Sequence, residues 1–302
     1  MFLYESGQGA GHTLWIRDMN DKNGKFVQIA FDMDYQYSPI DIIDGKMYIM
    51  TNYDAPKGMV CVADVKDVNK ASIENWEVLI PENENVMVGA QMGAGKMIIT
   101  YDKDASNHAY VYELDGTMKH EIQFPTFGSA GIVSRYDEPE IFYAFTSFTF
   151  PTTIYKYDIE ANTSEVFRAP NVSFNPEDYV TEQVFYTSKD GTRVPMFLTY
   201  KKDLQKDGKN PTLLYGYGGF NITLNPGFST MRIPFLEMGG VYAMANLRGG
   251  NEYGEEWHLA GTKLQKQNVF DDFIAAAEYL IDNKYTSPDY LAINGGSNGG
   301  LL

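Results

Sequence analysis

The sequence is poor in cysteine and in basic residues. Cys61 is the single cysteine among 302 residues, which excludes an internal disulfide and any metal cluster built on several cysteines. We therefore expect Cys61 to be a small buried apolar residue. Lys and Arg total 24 against 40 Asp and Glu, and the net charge of -16 repels phosphate backbones and anionic lipid headgroups. We expect neither nucleic acid nor a membrane surface as a partner.

Long apolar runs and metal-binding spacings are also missing. No stretch approaches the roughly 20 apolar residues of a membrane-spanning helix, and the first residues lack the basic start and apolar centre of a signal peptide. The histidines follow neither an HxH nor an HExxH spacing, so no metal site is expected. Apolar residues still make up 44% of the chain, which is ample for a large core.

A strand followed by an acidic residue recurs through the first half. The four copies are LWIRDM, MVCVADV, AYVYELD and TIYKYDI, and their acidic residues, Asp18, Asp64, Glu113 and Asp158, are 46, 49 and 45 residues apart. A period near this length with about four strands per unit is typical of β-propeller blades, because one small sheet buries both faces only between neighbours. A β-sandwich or a solenoid is the alternative. We expect the acidic residues to accept hydrogen bonds from turn N–H groups.

The pattern changes near residue 170, where we place a domain boundary. Two strands, Thr181–Thr187 and Arg193–Tyr200, flank the hairpin signal SKDGT. Buried strands then alternate with glycine loops and a helix in NVFDDFIAAAEYLIDNKY, which indicates a sheet covered on both faces. We expect Asn268 to cap this helix and Asp271 and Asp272 to favour its positive end. Its predicted apolar face is Val269, Phe270, Phe273, Ile274, Ala277, Leu280 and Ile281.

The glycine cluster near the end of the sequence fits a nucleophile elbow. Gly295, Ser297 and Gly299 satisfy GxSxG between the apolar strand LAIN and a possible helix start, where small residues are needed because the turn is so tight. The N–H of Asn298 would then face a tetrahedral oxyanion. A second donor is expected from YGYGGF, either a backbone N–H or the Tyr217 phenol. The alternative is an ordinary strand-to-helix turn with a core tyrosine.

These stretches together resemble one known family. GGSNGGLL, LLYGYGGFNI, GGVYAMANLRGGNEYGEEWH and KQNVFDDFIAAAEYLI are similar to the prolyl oligopeptidase family of serine peptidases, in which a seven-bladed propeller caps an α/β-hydrolase domain. The resemblance runs from about residue 14 to the end. It implies a partial β-propeller of three to four blades in residues 1–170, then the N-terminal half of an α/β-hydrolase domain in residues 171–302. The chain thus looks like an internal fragment.

The resemblance also implies roles for individual residues. Ser297 matches the nucleophile, the Asn298 backbone N–H one oxyanion donor, and the Tyr217 hydroxyl the other. Phe220 matches an aromatic wall of the pocket for the proline before the cleaved bond, and Asn298 favours the prolyl branch, so both are the expected substrate-binding residues. The implied activity is hydrolysis of short peptides on the carboxyl side of proline through an acyl-enzyme, with no metal or organic cofactor.

The resemblance leaves alternative functions open, and it also implies partners, an oligomeric state and a cellular location. The rivals are a dipeptidyl, acylaminoacyl or basic-specific peptidase of the same clan, an esterase on the same sheet, or a non-catalytic propeller scaffold. Short proline-containing peptides are the expected partners, and the full-length protein is expected to be a monomer. The cytoplasm is favoured over the periplasm.

The sequence departs from the family pattern at two places. FLYESGQGAGHTLW has no counterpart of the arginine and cysteine that the family's propeller presents to substrate. In hydrolases of this fold the triad Asp and His follow the serine along the chain, whereas His258 precedes it and is expected to have a structural role. We therefore expect the 302-residue fragment to be inactive, since loss of a triad member removes most of the rate.

Overall fold

The computed structural model describes residues 1–6 and 11–302. These residues form two compact units. The first comprises Met1–Tyr101, Ala109–Ile122 and Ser134–Ile141, and the second comprises Asp102–His108, Gln123–Val133 and Phe142–Leu302. In the described part of the chain, no helix has the length and apolar character needed to cross a membrane.

Four small sheets occupy the sequence up to residue 168, as the repeat predicted. Their strands follow one another in chain order, one sheet with three strands and three sheets with four. The first sheet contains β1 (Phe2–Ser6), β2 (His12–Ile16) and β3 (Val27–Ala30). The second contains β4 (Tyr37–Ile43), β5 (Lys46–Thr51), β6 (Met59–Asp64) and β7 (Glu77–Ile80). The third contains β8 (Val86–Gly93), β9 (Lys96–Lys103), β10 (Ser106–Tyr112) and β11 (Met118–Ile122). The fourth contains β12 (Ser129–Val133), β13 (Ile141–Thr146), β14 (Thr153–Asp158) and β15 (Thr163–Arg168).

The acidic residues of the repeat close turns at three of the four positions. One carboxylate oxygen of Asp18, Asp64 and Asp158 accepts a hydrogen bond from the N–H two residues later, at 2.8, 2.9 and 3.0 Å. The prediction was wrong for Glu113, whose longer side chain forms ion pairs with Lys96 at 3.2 Å and Lys119 at 3.1 Å.

Neighbouring sheets of the first unit share apolar cores. Leu14 and Ile29 of the first sheet pack with Met47 and Ile49 of the second. A second cluster joins β5 and β6 to Met97, Ile99 and Tyr101 of β9. Cys61 is a buried free thiol, as predicted, and burial raises its pKa to about 11. Stacking of adjacent sheets therefore supplies the burial that each small sheet lacks alone.

The second unit contains a five-stranded sheet. Its strands are β16 (Tyr179–Thr187), β17 (Arg193–Lys201), β18 (Thr212–Tyr215), β19 (Val241–Ala245) and β20 (Leu291–Asn294). They lie in the order β16-β17-β19-β18-β20, where β17 pairs antiparallel with β16 and β19, while β18 pairs parallel with β19 and β20. The helices of this unit are α1 (Arg232–Glu237), α2 (Glu255–Leu259) and α3 (Gln267–Asp282), and its 3-10 turns are Pro176–Asp178, Lys263–Gln265 and Ser297–Leu301. The 3-10 turns Val68–Lys70 and Ile73–Asn75 belong to the first unit. The predicted hairpin between β16 and β17 is confirmed, with Gly191 at a φ of +90° in its turn.

The apolar face predicted for α3 is partly correct. Val269, Phe273 and Leu280 are buried. Ile274 is 55% exposed, so its assignment to the core was wrong for this chain. Asp272 is buried instead, because its carboxylate binds Arg248.

The start of α3 also differs from the prediction. The helix begins at Gln267, so Asn268 lies inside it and donates its side-chain N–H to the carbonyl oxygen of Ala260 at 2.9 Å. Neither Asp271 nor Asp272 falls in the first turn. Contacts with distant residues, not capping and the helix dipole, therefore account for these polar side chains.

Candidate active site

Two glycine-rich loops leave the sheet side by side. β18 and β20 are parallel neighbours in which Tyr215 lies opposite Asn294. The N–H of Gly216 donates to the carbonyl oxygen of Asn294 at 3.2 Å. The Tyr217 loop, residues 216–231, therefore starts beside the turn that carries Ser297, at the carboxyl edge of the parallel strands.

Ser297 has a left-handed backbone with a φ of +51° and an exposed side chain. Its neighbours are constrained as the sequence indicated. A β-carbon on Gly295 would overlap the backbone of Gly299, and one on Gly299 would lie 2.5 Å from the carbonyl oxygen of Gly216. The turn is therefore closed to larger residues on both sides, and it holds Ser297 at the end of β20.

Asn298 links the Ser297 turn to the Tyr217 loop. Its side-chain N–H donates to the carbonyl oxygens of Tyr217 at 2.6 Å and Gly218 at 3.1 Å. A β-carbon on Gly219 would collide with this side chain. The side chain of Asn298 therefore fixes the loop, and its backbone is part of the 3-10 turn Ser297–Leu301.

Tyr217 is half-buried, whereas Phe220 is 73% exposed. Phe220 and Asn221 both have left-handed backbones, with φ values of +54° and +58°. The ammonium of Lys266 donates to the carbonyl oxygen of Gly218 at 2.8 Å, and burial lowers the pKa of this lysine. Packing and hydrogen bonds thus support an irregular backbone that presents an aromatic ring to solvent.

The imidazole ring of His258 contacts the backbone of the Tyr217 loop. Its Nδ1 lies 2.8 Å from the carbonyl oxygen of Gly249 and 3.1 Å from the N–H of Asn221. The N–H of Asn221 also donates to the carbonyl oxygen of Gly249, at 3.1 Å. This is the kind of structural role expected for His258.

Arg248 is a buried organiser that the sequence reasoning missed. It is 4% exposed, and its guanidinium binds Asp272 at 2.6 Å and Asp190 at 2.5 Å. The backbone N–H of Arg248 also donates to Asp272 at 3.1 Å. The guanidinium holds the pKa of the Asp190 carboxyl well below its usual range. An arginine between a buried strand and two glycines, with an acidic helix downstream, was the available signal.

The stretch FLYESGQGAGHTLW includes residues 7–10, which lie outside the described residues. In the described ranges, no group of three His, Cys, Asp or Glu side chains is placed to hold a metal ion.

The chain is similar to curated peptidases over most of its length. It is 45% identical over 293 residues to a prolyl endopeptidase from Elizabethkingia meningoseptica, covering 97% of this chain and 41% of that protein. It is 38% identical to prolyl oligopeptidase A from Galerina marginata, covering 96% of this chain and 40% of the relative. The chain thus spans about two-fifths of the length of these relatives.

Solved structures of prolyl peptidases are also similar to this chain over nearly its whole length. One from a structural and mechanistic study of two prolyl endopeptidases has a TM-score of 0.90 and 41% identity, covering 99% of this chain and 44% of that one. Prolyl oligopeptidase B from Galerina marginata, bound to a 35mer hydrolysis and macrocyclization substrate, matches with a TM-score of 0.90 and 32% identity, covering 99% and 43%.

Two family models match two separate parts of the sequence. The prolyl oligopeptidase N-terminal β-propeller model matches residues 2–170, and the prolyl oligopeptidase family model matches residues 226–302. The partial propeller and the start of an α/β-hydrolase domain agree with these matches. The chain belongs to the prolyl oligopeptidase family.

Proposed function

We propose that the complete protein is a serine endopeptidase that cleaves short peptides on the carboxyl side of proline. The observation that carries this proposal is the left-handed backbone of Ser297 at the end of β20, between two glycines that admit no β-carbon. A serine in a conformation that favours glycine is strained, and such strain is concentrated at functional sites.

In the proposed reaction, Ser297 Oγ attacks the carbonyl carbon of the prolyl bond. Its proton passes to a histidine outside these 302 residues, in keeping with the Ser, Asp, His order of hydrolases with this sheet. The Tyr217 hydroxyl and the Asn298 N–H bind the oxyanion. The C–N bond then breaks, the protonated amine leaves, and water hydrolyses the ester that joins the peptide to Ser297. No metal or organic cofactor takes part.

The proposed specificity depends on Phe220. An aromatic ring that is 73% exposed, three residues after a candidate oxyanion donor in the same loop, offers apolar area to a small ring such as proline. The Asn298 side chain supports this arrangement because it fixes the carbonyls of Tyr217 and Gly218, two to three residues before Phe220. We also propose a domain boundary near residue 170, a monomeric protein and short proline-containing peptides as its partners.

Variants of the full-length protein test the nucleophile. We expect Ser297→Ala to abolish cleavage of an acyl-proline substrate and labelling by a serine-directed phosphonate. Ser287→Ala, ten residues earlier, is the matched control and should keep both. Labelling that persists in Ser297→Ala would contradict the assignment. Faster turnover of an acyl-arginine substrate or of a short-chain ester would favour another hydrolase of the same fold.

A second pair of variants tests the oxyanion donor. Tyr217→Phe removes only the hydroxyl, and we expect kcat to fall by about 10²- to 10³-fold, the usual effect of losing one oxyanion donor. Tyr215→Phe, two residues earlier on β18, should change kcat little. A Tyr217→Phe enzyme with normal kcat would show that another group binds the oxyanion.

A further inference from the structure

Both backbone groups of Leu224, within the Tyr217 loop, are bound by buried side chains. The Leu224 N–H donates to Glu252 Oε1 at 3.1 Å, and Asn246 Nδ2 donates to the Leu224 carbonyl oxygen at 2.7 Å. Asn246 is fully buried and Glu252 is 2% exposed. These two side chains follow β19 and act on Leu224 as a neighbouring strand would.

The hydrogen bonds of the Glu252 pair, Glu252 and Asn246, leave two oxygen atoms unsatisfied. Asn246 Nδ2 also donates to Glu252 Oε1, at 3.3 Å. Glu252 Oε2 and Asn246 Oδ1 are both buried without a hydrogen-bond partner. An ionised Glu252 would have two acceptors and no donor to offer, so both oxygens would stay unsatisfied, which is unfavourable in a buried site.

One proton on Glu252 would give a hydrogen bond to both of the unsatisfied oxygen atoms. If Glu252 carries a proton on Oε2, that O–H donates to Asn246 Oδ1 while Asn246 Nδ2 donates to Oε1, giving two parallel hydrogen bonds between a carboxylic acid and an amide. Gly250 permits this arrangement because a β-carbon there would overlap Glu252 Oε2 and lie 2.8 Å from the Ile222 carbonyl oxygen.

The surroundings favour the neutral acid. Burial is the main cause that raises the pKa of Glu252 to about 7, and the negative charge of Asp102 raises it further. Asp102 is itself buried with a raised pKa, which His108 and the amides of Asn225 and Asn107 lower in part. In the described chain, no lysine or arginine side chain forms an ion pair or hydrogen bond with Glu252.

The same segment is anchored a second time. Asn225 Nδ2 donates to Asp102 Oδ1 at 2.7 Å, immediately after Leu224. The Ser129 hydroxyl donates to the Pro226 carbonyl oxygen at 2.7 Å. Leu224–Pro226 is therefore fixed residue by residue, while Tyr217 and Phe220 lie on the other arm of the loop.

We propose that Glu252, as a neutral carboxylic acid paired with Asn246, is a positioning residue that holds the Tyr217 loop against the Ser297 turn. This rests on the proposed function, because the loop carries the Tyr217 hydroxyl and Phe220. Ionisation of Glu252 removes the O–H donor, loosens the grip on Leu224 and lowers turnover. Small displacements of catalytic groups are costly, and a shift of about 1 Å can reduce the rate by about 10²-fold.

The decisive comparison is between Glu252→Gln and Glu252→Ala in the full-length protein. Glutamine reproduces the neutral acid, since its N–H can donate to Asn246 Oδ1 and its oxygen can accept from Leu224. We expect Glu252→Gln to retain most of kcat/KM for an acyl-proline substrate, and Glu252→Ala to lose about 10- to 100-fold, mostly in kcat. The exposed Glu255→Gln is the matched control, with no expected change.

The pH profile adds a readout that a merely structural role would not change. The ratio of wild-type kcat/KM to that of Glu252→Gln should fall as the pH rises through about 7, the pKa of Glu252, because the histidine base affects both proteins equally and cancels in this ratio. If both variants are equally impaired, or if Glu252→Ala is fully active, the proposal is overturned.

Two further measurements test the protonation of Glu252 directly. Neither of them depends on peptidase activity or on whether Glu252→Ala folds. The infrared C=O band of a buried protonated carboxyl should be present in the wild type at acidic pH, decline at alkaline pH and be absent from Glu252→Gln. The melting temperature of the wild type should fall relative to Glu252→Gln as the pH rises through about 7. Absence of that band would refute the proposal that Glu252 is a neutral acid paired with Asn246. A wild type that shows the band but cleaves no substrate would refute only the proposed peptidase function.

Discussion

Two buried polar clusters follow β19 within a few residues of each other, and they are stabilised in opposite ways. The Arg248 cluster, Arg248 with Asp272 and Asp190, joins full charges at 2.5 to 2.6 Å. The Glu252 pair has no opposite charge and is complete only with a bound proton. The difference shows that a short loop can bury ionisable groups either by pairing charges or by removing one.

The largest predicted effect comes from breaking the charged cluster. Arg248→Met leaves the Asp272 carboxylate fully buried without a cation, and we expect a loss of about 3–5 kcal/mol in the free energy of unfolding. The measurement is urea unfolding of the full-length protein, followed by hydrogen exchange in residues 267–282.

Lys189→Met is the control for this prediction. Lys189 is 77% exposed and lies 3.7 Å from Asp271, so its loss should cost less than about 1 kcal/mol. An Arg248→Met protein no less stable than Lys189→Met would show that charge pairing does not stabilise this loop.

A smaller effect is predicted at the Glu252 pair. Gly250→Ala forces a β-carbon into Glu252 Oε2, and we expect a loss of about 2 kcal/mol through overpacking, together with reduced kcat/KM. Gly227→Ala, in the Tyr217 loop, is the matched control because a β-carbon there meets no atom within 4 Å. Equal melting temperatures for the two variants would argue against close packing around Glu252.

The smallest effect concerns pH, where the two clusters should respond with opposite signs. Arg248 lowers the pKa of Asp190 below its ordinary 3.8, so this stabilisation is present above that value and is lost as the pH falls further. Glu252 has its pKa raised from 4.5 to about 7, so its stabilisation is present below 4.5 and is lost as the pH rises through about 7.

Asp190→Asn should therefore reduce acid sensitivity and leave the alkaline side unchanged. The expected difference is about 1 kcal/mol at most, since the Asp190 side chain is 45% exposed and solvent weakens the interaction. Melting temperatures measured from acidic to alkaline pH give the answer, with the exposed Asp289→Asn as control. An altered alkaline side in Asp190→Asn would mean that the two clusters are coupled.

The sequence predicted features whose physical cause is local. Aspartates at blade turns bind an N–H two residues away, so Asp18, Asp64 and Asp158 could be interpreted from their own segments. The glycines around Ser297 were equally predictable because the tight turn that excludes β-carbons is encoded within five residues. The prediction for Glu113 was wrong because its longer side chain reaches lysines on β9 and β11.

Features that depend on distant partners were not predictable. Asp272 replaces Ile274 in the core because Arg248, 24 residues earlier, neutralises its charge. The Glu252 pair matches no motif, and carboxylates are almost never fully buried. An acidic residue within a glycine-rich run after a fully buried strand was the only sign of it.

The backbone of Ser297 has an evolutionary consequence. At a φ of +51°, glycine would relieve a strain of order 1 kcal/mol, so selection for folding alone would replace this serine. In a relative that no longer needed the Ser297 hydroxyl, the single substitution Ser297→Gly would make the protein slightly more stable. A serine retained at this position is therefore what the proposed chemistry of Ser297 predicts, since folding stability alone favours glycine there.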